Sequence, residues 1–125
     1  CEVALACRSG ESVRFNAGLE VVLNLLAPNS EDRYFEVAAR RYPLSASIAE
    51  AASELRAADG WQKIGVTLEA PGSQELWIAP IETVSESEEG FERVYQGSQI
   101  LPIWPVELRA GTSWSGRVVL RVTSL

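Results

Sequence analysis

The side chains that could do chemistry in this 125-residue chain are two cysteines, four tryptophans and a large set of glutamates; there is no histidine. Histidine is the usual general base near neutral pH and the commonest metal ligand, so its absence removes the simplest acid–base and metal sites. Cys1 and Cys7 cannot build a zinc site between them. No GxSxG elbow, phosphate-binding loop or GxGxxG turn occurs. Asp32 and Asp59 both fall at expected turns, where an aspartate side chain binds its own backbone. Two facing glutamates could in principle hydrolyse a glycosidic bond, but nothing in the spacing selects a pair. Glu86, Glu88 and Glu89 lack the Asp/Asn–Gly spacing of a calcium loop and read as a solvated acidic loop. The expectation is a non-catalytic binding module with no cofactor and no metal.

The cysteines suggest a different chemistry. Ala4-Leu5-Ala6 is a small-x-small sequence of the kind that ends a secretory leader, and Cys7 follows at once. Cys1 and Cys7 are therefore the lipidation candidates, with residues 1–10 an N-terminal tether or leader remnant. The chain holds no methionine, which reads as removal of a leader or trimming. A Cys1–Cys7 disulfide and two plain thiols are the alternatives. A bridge needs Cα atoms about 5.5 Å apart, whereas an extended run of that length spans about 20 Å.

The tryptophans are the candidate binding residues. Trp61 is expected to cap the core. Trp77 alternates with Leu76 and Ile78 and becomes a binding residue if its face meets solvent. Trp104 lies between Pro102 and Pro105. Trp114, in a loop bounded by Gly and Ser, is the one expected to be most exposed. Exposed indoles take sugar rings or protein partners; Trp77, Trp104, Trp114 and Tyr95 are the partner-binding candidates. The net charge of −6 leaves no basic footprint for nucleic acid.

The elements that must position these residues are mostly extended. Alternation marks strands at 12–15, 20–26, 34–40, 64–69, 75–81, 91–95, 100–108 and 117–125. Pro102 and Pro105 suit an edge strand or a crossover. One helix is predicted over about 47–59. Ser47 and Glu50 form a capping box, Ile48, Ala51, Ala52 and Leu55 a stripe, and Asp59-Gly60 a stop. The expected fold class is mainly β: a single-domain β-sandwich of about seven to eight short strands with one α-helix inserted. No apolar run approaches the roughly 20 residues that span a bilayer.

Val37-Ala38-Ala39-Arg40-Arg41-Tyr42-Pro43-Leu44, followed by the predicted helix and by Pro71-Gly72, resembles the type VI secretion lipoprotein family TssJ. Cys7-Arg8-Ser9-Gly10 through Phe15-Asn16-Ala17-Gly18 is similar to a stretch of the type III secretion pilotins. These resemblances imply an outer-membrane lipoprotein on the periplasmic face. It would be anchored by an N-terminal lipid and bind a protein component of a secretion apparatus, such as a secretin or membrane-complex subunit. The pilotin role is slightly favoured. The alternative reading is an exported carbohydrate- or ligand-binding β-sandwich module using Trp77 or Trp114.

Overall fold

The computed structural model describes residues 1–125, with twelve strands and no helix. They are β1 (Glu2–Ala6), β2 (Val13–Gly18), β3 (Val21–Leu23), β4 (Arg33–Val37), β5 (Arg40–Pro43), β6 (Ile48–Glu50), β7 (Glu54–Asp59), β8 (Ile64–Glu69), β9 (Glu75–Ser87), β10 (Gly90–Leu108), β11 (Ser113–Arg117) and β12 (Val119–Ser124). All pairings are antiparallel. One five-stranded sheet runs β2-β10-β9-β6, with β3 also on β10, and a second runs β12-β8-β7-β4-β5. β1 and β11 form a separate ribbon.

The two large sheets share one apolar core. Leu76, Ile78, Ile100, Trp104 and Val106 come from the first; Phe35, Val37, Leu55, Ala57, Val66 and Leu68 come from the second. Most alternate along their strands with more exposed neighbours, as a sheet with one buried face requires, while Ala58 beside Ala57 and Gly65 beside Val66 are buried as well. Burying a large apolar side chain of this kind contributes about 2–3 kcal/mol.

The predicted helix is absent, and its residues are split between β6 and β7. The physical reason lies in the sheet. β7 pairs with β4 on one side and β8 on the other, so it fills a central slot. A helix of three turns is marginal without tertiary packing. In that slot the extended chain bonds both neighbours instead of leaving two edges open. Leu55, part of the predicted stripe, shares a strand face with Ala57 at a period of two, and both are fully buried. Ala51, assigned to the stripe, is exposed.

The prolines also sit elsewhere than expected. β10 is a central strand of 19 residues. Pro102 lies between the segments of β10 that pair with β3 and with β2. Pro105 lies past Ile103, where pairing with β9 ends. Each proline thus lacks its N–H where one neighbouring strand is missing, so no ladder bond is lost.

Beyond the body, β9 and β10 continue as an arm. From Glu82 to Val94 every residue is exposed, and Phe91 at the tip is 79% exposed. Glu86, Glu88 and Glu89 are part of this tip.

Candidate functional site: an outward groove on the β2–β10–β9 face

The outward face of the first sheet is set by register. Trp77 stands opposite Leu101 on one side and Ala49 on the other, and Glu75 stands opposite Ile103. Across β10, Ile103 pairs with Gly18, Pro105 with Asn16, and Glu107 with Arg14. Cross-strand partners point to the same side, so all of these side chains share the face turned away from the core. Gly18 is small for a reason: a Cβ there would come within 2.9 Å of Leu101 Cδ1.

Two depressions join on this face. The smaller, about 110 Å³, is bounded by Trp77, Glu75, Gln74, Asn16, Ile103 and Pro105. The larger and more open, about 610 Å³, shares Asn16 and Pro105 and continues to Arg14 and Glu107. From Ile103 to Glu107 the groove follows β10 for about 13 Å.

Trp77 is 49% exposed. Its Nε1 donates to Glu75 Oε2 at 2.8 Å, which holds the indole edge. The ring is left as a flat apolar wall, with an amide on Asn16 and another on Gln74 at the rim. Arg14 and Glu107 close the far end as an exposed ion pair at 3.3 Å. An aromatic face beside planar hydrogen-bonding groups fits a ring with an apolar face and equatorial hydroxyls. Nothing in the groove forms a nucleophile–base pair.

The other predicted binding residues lie elsewhere. Trp104 is 3% exposed and is part of the core; its Nε1 donates to the Pro71 carbonyl at 3.0 Å. Trp114 is half-buried. It meets Trp104 edge to face at 5.8 Å and packs over Gly116, where no Cβ would fit. The Gly/Ser loop around Trp114 is in fact strand β11, and Gly116 is the floor beneath its ring. Tyr95 is half-buried at the root of the arm, its hydroxyl 2.7 Å from Ser98 Oγ, and burial raises its pKa. Trp61, expected to cap the core, is 78% exposed.

Cys1 and Cys7 are both free thiols, one exposed and one buried. Residues 1–10, expected as a tether or leader remnant, include β1, paired along its length with β11. The Cys1 backbone nitrogen donates to the Val118 carbonyl at 2.9 Å. Cys7 belongs to the core cluster, and its Sγ lies 3.3 Å from the Glu11 carbonyl.

The fold defines an all-β domain of two large antiparallel sheets around one core. The chain belongs to the family described as Alpha-amylase/4-alpha-glucanotransferase, C-terminal, whose model matches residues 2–118. Alpha-amylase 1 of Dictyoglomus thermophilum (strain ATCC 35947 / DSM 3960 / H-6-12) is 44% identical over 104 residues, covering 82% of this chain and 15% of that protein. The chain therefore spans about a seventh of the length of the curated relative that it matches. No solved structure matches it.

The family match overturns the resemblance to secretion lipoproteins. With it go the pilotin role and the secretion-apparatus partner. The motif that carried the type VI resemblance, Val37 to Leu44, is a β4–β5 hairpin and leads into no helix. The chain is not itself an enzyme: the match is to the family's C-terminal region.

Proposed function

We propose that this domain binds α-1,4-linked glucan chains in the Trp77 groove and holds them for a catalytic region of the same family. The observation that carries the reading is Trp77: an exposed indole fixed by Glu75 on an open face, with Asn16 and Gln74 beside it. The names of the family and of the similar amylase indicate the sugar. Groove length suits a short run of rings, and its open face lets a polymer settle on it from solvent.

Trp77→Ala removes the stacking wall and touches no core residue. Titration of maltoheptaose, followed calorimetrically, should show binding weakened at least tenfold, about 1.4 kcal/mol. The melting temperature should stay unchanged. Wild-type protein that binds no α-glucan, or a Trp77→Ala variant that binds as well as wild type, would overturn the proposal.

A further inference from the structure

Charge is unevenly placed along the groove. The charged residues lining its two depressions are Glu75, Arg14 and Glu107. Arg14 and Glu107 pair with each other, Nη2 to Oε1 at 3.3 Å. Glu75 has no such cation: its Oε2 accepts from the uncharged Trp77 Nε1 at 2.8 Å. Glu75 stands opposite Ile103, whereas Arg14 stands opposite Glu107 farther along β10. Those two rungs are about 13 Å apart, beyond the Debye length of about 8 Å at physiological ionic strength. Arg14 therefore does little to offset the Glu75 charge.

The carboxylate and the indole face act as one unit. A sugar ring stacked on Trp77 lies beside an uncompensated negative charge, and the other polar side chains at that end, Asn16 and Gln74, are neutral amides. Uncharged hydroxyls find acceptors there. An anionic substituent on the same ring meets repulsion instead: two unit charges about 6 Å apart in water change a binding constant about threefold.

We infer that Glu75 is a specificity-determining residue, selecting uncharged glucans over chains that carry carboxylate or phosphate groups. This selection rests on the proposed sugar-binding function. Only the ring on Trp77 comes within reach of Glu75, so the discrimination is a few-fold and is screened by salt.

The test compares maltoheptaose with maltoheptaose oxidised to a carboxylate at every C6, which leaves no neutral ring to take the place on Trp77. Both are titrated calorimetrically into the wild-type chain, Glu75→Gln and Glu88→Gln. Glutamine at 75 keeps a carbonyl oxygen that accepts from Trp77 Nε1 and removes the charge. Glu88→Gln makes the same change in net charge at the tip of the arm, about 30 Å along β9 from Trp77. At low ionic strength the wild type should bind the neutral sugar at least about threefold more tightly than the oxidised one. Glu75→Gln should lower that ratio about threefold, and 1 M salt should bring the wild-type ratio down to that of the variant. Glu88→Gln should leave the ratio close to that of the wild type. A disturbed Trp77 would weaken both sugars alike and leave the ratio where it was. A Glu75→Gln ratio equal to the wild type's, or a Glu88→Gln variant that moves it as far, would overturn the inference. A wild type that binds neither sugar would instead defeat the proposed function.

Discussion

Asp59→Ala is the sharpest test of how the β7–β8 turn is held. The carboxylate is fully buried, and its partner Arg33 has a side chain only 12% exposed. Removing the carboxylate takes the acceptor from two backbone amides and from a guanidinium that cannot shed its charge. The amides lie at the surface end of the turn and can find water. The guanidinium is the costly orphan. Breaking a buried pair costs about 3–5 kcal/mol, and the surface position favours the lower end, about 3 kcal/mol. At about 4 °C per kcal/mol for a chain of this size, the melting temperature should fall by about 12 °C. Thermal unfolding by circular dichroism, paired with urea unfolding at unchanged slope, measures it. Asp59→Asn keeps an acceptor for the amides and loses the charge, so it should cost about half as much. A cost for Asp59→Ala below about 1 kcal/mol would refute the account, as would Asn and Ala variants of equal stability.

The same carboxylate links stability to pH. Burial acts to raise its pKa, but the Gln62 amide, Arg33 and the Trp61 amide outweigh burial and hold it below the ordinary value. A depressed carboxylate stabilises the fold above its unfolded pKa, roughly 4. That contribution is lost as pH falls through the lower, folded pKa. The stability gap between wild type and Asp59→Asn should be full near pH 6 and shrink below about pH 4; a gap independent of pH would contradict the assignment.

Further predictions concern the core and the hairpins. Phe35→Ala, at a site with no exposure, should cost about 3–5 kcal/mol in urea unfolding. Trp104→Phe loses the bond to the Pro71 carbonyl and should cost about 1–3 kcal/mol, whereas Phe91→Ser on the arm should change stability by less than about 0.5 kcal/mol. Ala38 and Ala39 make the two-residue β4–β5 turn at φ 49° and 62°. The pair Ala38→Asn with Ala39→Gly, suited to such a turn, should raise stability by about 1 kcal/mol in thermal unfolding.

Several features were legible because they depend on local pattern alone. The alternation of Val66 and Leu68 against Thr67 and Glu69, and of Leu76 and Ile78 against Glu75 and Trp77, marks strands wherever one face is buried. It also placed Trp77 on the face opposite the core. Asp59 was readable as a turn residue. The helix was misread because Ile48, Ala51, Ala52 and Leu55 match helical spacing, and only pairing with distant strands divides them between β6, β7 and the link joining them. The β4–β5 turn was missed because Ala38-Ala39 carries none of the usual turn residues. Trp61 could have been found: an Asp-Gly step immediately before an indole, with extended chain on both sides, is a hairpin signal that puts the next residue outside.

By itself, then, the amino-acid order determined that the chain would be largely extended, free of histidine, and built around one apolar core. Periodicity and residue chemistry act within a few neighbours, and no distant contact is needed to read them. Which tryptophans meet solvent was decided only by tertiary structure. Trp104 and Trp114 pack together because β10 and β11 bring them within contact, while Trp77 and Trp61 stay open because no strand of this chain packs over them. The conversion of residues 47–59 into strands was settled in the same way, by a vacant position between β4 and β8 whose backbone groups had to be paired.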